Sequence, residues 1–371
     1  MQLKNIFMCF GTRPEAIKMA PLYHELKKNG FKLSVCVTAQ HREMLDQVLG
    51  FFEIIPDYDL NLMKPKQTLN ELGAKILNKI DAVLNQENPD LVLIHGDTTT
   101  SAIVAMAAFH KKIKIGHIEA GLRTYEKNAP FPEEINRQIT ARMADFHFAP
   151  TSLAFQNLIS EKILPENITI TGNTVIDALF LGLEKIEKNP KLIHPFLVEI
   201  FSDNSKIILT TMHRRENFGE GLEKICNGLL SISRNQNVKI LIPVHLNPLV
   251  QDPVNRILGK NPNILLMEPL DYPNFIFAMC NAYLIITDSG GVQEEAPSLG
   301  KPVLVLREST ERPEAMANGN VKLVGTNMIK MVEETNKLLM DKEYYSSFSL
   351  KSNPYGDGTA SQNIVNFIKK L

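Results

Sequence analysis

Short apolar runs alternate with stretches of helical periodicity along the whole of this 371-residue chain. In the first half the strand-like runs fall at 6–10, 33–38, 91–94, 115–118, 146–149 and 168–170. Helical patterns at 15–28, 69–86, 101–111, 133–143 and 153–160 lie between them. That alternation leaves one main solution, a parallel sheet with helices on both faces. The series then restarts, with runs at 207–211, 238–242, 264–267, 283–287, 303–306 and 321–324. A chain this long exceeds one ordinary core. The expected fold is therefore α/β, with two Rossmann-like doubly wound parallel-sheet domains. We place the first at 1–172 and the second at 173–358, with a linker near 172–182. A short amphipathic helix near 359–371 is expected to cross back to the first domain.

The totals exclude several classes. Charged residues are 22% and hydrophobic residues 44% of the chain, as in a soluble globular protein. A net charge of -1 gives no global field for nucleic acid or a membrane surface. No apolar stretch is long enough to span a bilayer, and the run at 6–10 is too short for a signal peptide. Cys9, Cys36, Cys226 and Cys280 are widely spaced and form no C-x-x-C pair. They read as buried thiols in a reducing cytoplasm rather than as disulfides or zinc ligands.

Chemistry concentrates at the carboxyl ends of the runs, where open α/β sheets bind ligands. Three segments there carry acids: His95-Gly96-Asp97-Thr98, His117-Ile118-Glu119-Ala120-Gly121-Leu122-Arg123 and Pro132-Glu133-Glu134-Ile135-Asn136-Arg137. Several converging carboxylates suggest proton transfer, although salt bridges to Arg123 and Arg137 would explain a subset. Gly11-Thr12-Arg13-Pro14 joins the first run to the first helix, and Lys18 follows about a turn later. Its backbone N–H groups and Arg13 suit an anion. Thr287-Asp288-Ser289-Gly290-Gly291 is the counterpart in the second half, with Glu295 further along its helix. Ser289 and the glycines there suit a phosphate, and Glu295 could accept from ribose hydroxyls. His213, among Arg214 and Arg215 at another strand end, can meet a phosphate or protonate a leaving oxygen. Arg312 can grip phosphate or sugar oxygens. Neither loop is a G-x-G-x-x-G fingerprint, so no nicotinamide cofactor is implied. Asp57-Tyr58-Asp59 spells D-x-D, but no third ligand accompanies it and no metal site is assigned.

Together these segments resemble the non-hydrolysing UDP-N-acetylglucosamine 2-epimerases. The matching text includes FGTRPEAIKMAPL (10–22), TAQHREMLDQVL (38–49), HGDTTT (95–100), HIEAGLRT (117–124), FPEEINR (131–137), HRREN (213–217), PVHLNP (243–248), TDSGGVQEEAPSLGKPVLVLR (287–307) and TERPEA (310–315). The resemblance covers nearly the whole chain. It implies a GT-B-like pair of domains with the active site in the interdomain cleft, a homodimer, and no cofactor or metal. It implies catalytic roles for Asp97, Glu119, Glu133 and His213. It implies nucleotide-sugar contacts for Arg13, Lys18, Phe275, Ser289, Gly290, Gly291, Glu295 and Arg312, with Arg137 a further site residue. Gln40, His41 and His245 match an activating second UDP-N-acetylglucosamine site found in some members. This chain departs from those members with Glu43 where Gln occurs and Lys66 where Arg occurs.

The chemistry implied is reversible. UDP leaves C1 as the C2 proton is removed, giving 2-acetamidoglucal, and re-addition with protonation on the other face gives UDP-N-acetylmannosamine for surface polysaccharide synthesis. Admission of water at C1 would instead release N-acetylmannosamine, the hydrolysing alternative. A GT-B glycosyltransferase or a sugar-nucleotide sensor would have less use for Asp97, Glu119 and Glu133 together.

Overall fold

A computed structural model describes residues 3–38, 42–64, 67–310, 312–349 and 352–371. The chain divides into two compact units, 1–181 with 355–371, and 182–354. The division falls between Leu181 and Gly182, inside the helix Thr174–Lys188 and at the late end of the linker span read from the sequence. That helix was hidden by Gly172 just ahead of it and Gly182 within it. The return to unit 1 begins at Tyr355, a few residues ahead of the expected crossing.

Unit 1 holds a seven-stranded sheet of β1 (Asn5–Phe10), β2 (Lys32–Val37), β3 (Tyr58–Asp59), β4 (Leu91–His95), β5 (Lys114–Ile118), β6 (Phe146–Ala149) and β7 (Ile168–Ile170). All pairings are parallel, in the order β3-β2-β1-β4-β5-β6-β7. Central strands buried on both faces need continuous apolar runs. Ile6 to Phe10 and Leu91 to Ile94 meet that demand and are fully buried. The D-x-D segment forms the short edge strand β3. Asp57 accepts from Val35 N at 2.8 Å, and Asp59 pairs with Arg42 at 2.6 Å. Both acids therefore serve local structure.

Unit 2 repeats the topology with β8 (Lys206–Thr211), β9 (Val238–Pro243), β10 (Ile264–Met267), β11 (Leu284–Thr287), β12 (Val303–Val305) and β13 (Val321–Leu323). The order is β10-β9-β8-β11-β12-β13, again all parallel. Each sheet has the 3-2-1-4-5-6 doubly wound order, and unit 1 adds β7 at its far edge. Strand order reverses beside β1 and β4 in unit 1, and beside β8 and β11 in unit 2. Ligands bind at such switch points, outside the carboxyl ends of the strands.

The last helix, Ala360–Ile368, packs on unit 1. Asp177 accepts from its first two N–H groups, Ala360 N at 3.1 Å and Ser361 N at 2.7 Å. Phe367 sets its ring edge-on against Phe146 and Phe148, each at 5.5 Å. Capping and aromatic packing together hold the helix down. Among the described residues, no helix is long and apolar enough to cross a membrane.

Candidate active site

In unit 1 the switch point is organised by Glu15. Thr12 caps the helix Arg13–Lys28 in a capping box with Glu15. Glu15 Oε2 accepts from Gly11 N at 3.0 Å, Thr12 N at 2.8 Å and Thr12 Oγ1 at 2.8 Å. Its other oxygen accepts from Thr98 Oγ1 at 2.7 Å and Ser101 Oγ at 3.1 Å. One buried carboxylate thus ties the loop after β1 to the helix after β4. Two backbone N–H groups expected to face an anion turn to Glu15 instead. Of the anion contacts expected here, Arg13 stands in the first turn of the helix and Lys18 in the next.

Lys18 lies one turn further along and pairs with Glu119, the residue directly after β5. Glu119 Oε2 also accepts from Asn173 Nδ2 at 2.8 Å. Glu119 has φ of +61°, a backbone state uncommon outside glycine and typical of functional positions. Its Oε1 lies 3.6 Å from where a Cβ on Gly96 would stand, so the carboxylate lies beside the Asp97 loop. Asp97 accepts from Arg137 through Nε at 2.9 Å and Nη2 at 2.7 Å. Arg137 Nη1 also reaches Glu134 at 3.3 Å. Burial opposes the Arg137 charge, but Asp97, Glu119 and Glu134 outweigh it and raise its pKa. Glu134 accepts from Thr124 N at 3.0 Å and Tyr125 N at 3.1 Å, which ties down the loop ahead of its helix. Its neighbour Glu133 opens the helix Glu133–Met143 and is half-buried. Lys18, Asp97, Glu119 and Arg137 form one cluster of two acids and two bases, with Glu133 on the helix that carries Arg137.

His95 completes this cluster; the sequence named it only as the start of the Asp97 segment, after the 91–94 run, and gave it no role. It is buried with Nε2 3.9 Å from Glu119 Oε2 and without a hydrogen bond. Burial pushes its pKa down to about 4, and Lys18 adds to that. The ring beside the acids is therefore neutral.

In unit 2, His213 follows β8 and sits 3.0 Å by Nδ1 from Asp288 Oδ1, just beyond β11. His245 lies in the exposed loop after β9, with its ring 6.1 Å from His213 and 20° from parallel. Ser289 precedes the short helix Gly290–Glu295, and its side chain makes no capping hydrogen bond. Arg312 Nε donates to buried Glu294 at 2.6 Å. The guanidinium lies against Gly290: a Cβ there would stand 2.6 Å from Arg312 Nη1 and 2.7 Å from Cζ. Glycine at 290 is thus required for the arginine to lie under the loop. Gly291 follows it, and buried Glu295 ends the helix. Phe275 is half-buried on the helix Tyr272–Asn281. Gln40, His41, Lys66 and Glu311 lie outside the described residues. Among the described residues no cluster of His, Cys, Asp and Glu could hold a metal ion.

The family model for UDP-N-acetylglucosamine 2-epimerase matches residues 24–369. The chain belongs to this family. Among its epimerase relatives, the UDP-N-acetylglucosamine 2-epimerase of Salmonella typhimurium is 53% identical over 98% of both chains. That of Campylobacter jejuni is 52% identical over 99% of this chain and 98% of its own. The crystal structure of the Neisseria meningitidis UDP-GlcNAc 2-epimerase bound to UDP-GlcNAc superposes with a TM-score of 0.91. It is 49% identical and covers 99% of this chain and 100% of its own. A Staphylococcus aureus MnaA–UDP structure matches with a TM-score of 0.88 at 45% identity, over 99% of this chain and 96% of its own. The GT-B-like pair of sheets expected from the sequence is the fold of these epimerases.

Proposed function

We propose that this chain interconverts UDP-N-acetylglucosamine and UDP-N-acetylmannosamine, with nucleotide contacts assigned to the Ser289 loop and proton transfer to Asp97, Glu119 and Glu133. The observation that carries the reading is the pairing of two of the acids with fixed cations at the unit 1 switch point: Glu119 with Lys18, and Asp97 with Arg137. Such acids sit in defined positions beside a sugar without drifting toward solvent.

The C2–H bond is not next to a carbonyl and is barely acidic. Its cleavage becomes feasible when the C1–O bond breaks in the same process. The base takes the C2 proton, the C–H electrons form the C1=C2 bond of 2-acetamidoglucal, and UDP leaves with the C1–O electrons. Return of UDP to C1, with protonation of C2 from the opposite face, gives the epimer. Asp97, Glu119 and Glu133 supply the proton acceptor and donor. Ser289, the Gly290 and Gly291 backbone, Arg312 and His213 stabilise the diphosphate as it leaves and returns. Arg13 and Lys18 add positive charge, while Phe275 and Glu295 contact the nucleoside. Gln40, His41 and His245 mark where an activating nucleotide sugar would act in relatives that use one.

The product would feed surface polysaccharide synthesis from the cytoplasm. A homodimer is part of the same proposal. Leu69, Phe109, Ile135 and Ile139 are exposed by 37% to 57% on three helices that pack side by side in unit 1. Apolar exposure of that kind on adjacent helices suits a second copy.

The deciding experiment is incubation of the purified protein with UDP-N-acetylglucosamine in D₂O, without added cofactor. Deuterium at C2 and a mixture of gluco and manno UDP-sugars are expected. Free N-acetylmannosamine would identify hydrolysis instead, and unchanged substrate would refute the proposal.

A further inference from the structure

Asp288 has no part in the reading above, yet one of its carboxylate oxygens is held by three donors. It is the first residue beyond β11 and is fully buried. A carboxylate is stable in such a place only if its oxygens are matched. Its partners come from one short segment, the one that carries His213. Oδ2 accepts from His213 N at 2.9 Å, Arg214 N at 2.8 Å and Asn217 Nδ2 at 3.2 Å. Asn217 is itself fixed by donating to Leu306 O at 3.1 Å, just past β12. The strand ends beneath are locked together as well. Thr211 and Thr287 share a side-chain hydrogen bond at 2.6 Å, and Asp288 N donates to Thr211 O at 3.2 Å.

Oδ1 is different. It has no hydrogen bond of full geometry, and its near neighbour is His213 Nδ1 at 3.0 Å. Burial alone would raise the Asp288 pKa, but the His213 side chain and the surrounding N–H groups outweigh it and hold it below its ordinary value. An ionised carboxylate only accepts, so the ring nitrogen facing it must carry hydrogen. The other flank of His213 is occupied by the His245 ring. That ring is oriented in turn, its Nδ1 accepting from Asn247 N at 3.1 Å.

We propose that Asp288 is a positioning residue for the reaction: it holds His213 in the Nδ1–H tautomer and turns Nε2 toward the diphosphate oxygens of the nucleotide sugar. The backbone bonds from 213 and 214 fix where the histidine starts, and Oδ1 fixes which nitrogen points inward. Nε2 is then the ring atom that, with a proton taken from solvent as the anionic substrate binds, donates to the departing diphosphate, without a search over ring flips at each turnover. The inference rests on His213 serving the diphosphate, as proposed above.

Two measurements on the full-length protein test it. In ¹⁵N-histidine-labelled protein, with the His213 signals assigned by His213→Gln, the wild type is expected to show protonated Nδ1 and bare Nε2. Asp288→Asn is expected to shift the population toward Nε2–H. A wild-type ring found as the Nε2–H tautomer overturns the proposal, whatever the folding of the variant. In the epimerisation assay, Asp288→Asn is expected to lower kcat by about a hundredfold or more, the scale of a misdirected general acid or phosphate contact. In a His213→Gln background the same substitution is expected to matter by less than about threefold, because the two residues act as one unit. Losses that multiply instead would mark Asp288 as scaffold only and overturn the proposal. If His213→Gln alone left turnover intact, the role given to His213 would fall, while the tautomer measurement would still judge the Asp288–His213 pair.

Discussion

Unit 1 should lose stability in mild acid, because three neutral histidines are sealed in its sheet. His95, His117 and His147 end β4, sit in β5 and sit in β6, and each is buried. Burial is the main cause that pushes their pKa values down, to about 4, about 3 and about 4, from an ordinary 6.5. His117 and His147 are direct neighbours in the β5–β6 register, so charging one would disfavour charging the other. A depressed basic group leaves stability intact above its unfolded pKa and removes it as pH falls toward the folded value. Below about pH 6.5 the unfolded chain binds protons that the folded chain refuses, which favours unfolding. At about pH 5 each histidine costs about 2 kcal/mol and the three together about 6 kcal/mol, with a slope near 1.4 kcal/mol per pH unit for each. A folded pKa anywhere below about 4 gives nearly the same result, since it is the unfolded side that fills. Glu15 and Asp177, raised by burial, work in the opposite sense and offset part of the loss. The histidine share is isolated by His147→Gln, which cannot charge. Urea unfolding followed by circular dichroism between about pH 7.5 and 5 should give a pH slope shallower by about one proton in the variant. Superimposable slopes for wild type and variant would refute the reasoning.

Two further outcomes follow from the site geometry. Gly290→Ala should displace the Arg312 guanidinium from beneath the loop and break its 2.6 Å bond to Glu294, weakening UDP binding by about tenfold, or about 1.4 kcal/mol. An unchanged Kd by calorimetry would contradict this. Asn173→Ala should remove the 2.8 Å donor from Glu119, a bond to a charged group worth about 1.5–3 kcal/mol, and lower kcat at least tenfold with little change in UDP affinity. Equal losses in kcat and UDP binding would show that the substitution disturbs more than Glu119.

Both sheets were legible because their central strands are buried on two faces and must be written as unbroken apolar runs, as at Ile6–Phe10 and Ile285–Thr287. The edge strand Tyr58–Asp59 was not, since two half-exposed residues carry no such pattern. The helix Thr174–Lys188 read as linker because glycines at 172 and 182 outweighed its periodicity. For the site, position was legible and partnership was not. Asp97, Glu119 and His213 stand at strand ends, where the fold puts chemistry. That Glu15 would take the Gly11 and Thr12 N–H groups, that His95 would lie under Glu119, and that Asp288 would engage His213 all depend on pairing between segments far apart in sequence. The capping-box spacing of Thr12 and Glu15 was the one local sign of any of these.

The return of residues 355–371 to unit 1 has a consequence for how the protein comes into being. Synthesis runs from the first residue to the last, so the 182–354 unit emerges whole, between the two parts of its neighbour. The earlier unit waits for its final helix, with Asp177 uncapped and the faces of Phe146 and Phe148 open until Phe367 arrives. Asn173, whose N–H donates to Tyr355 O at 2.7 Å, stays unanchored for the same interval, and with it the amide that steadies Glu119. The steadying of Glu119 is thereby tied to the emergence of residues 355–371, and a ribosome that stalls ahead of Tyr355 leaves a product without it.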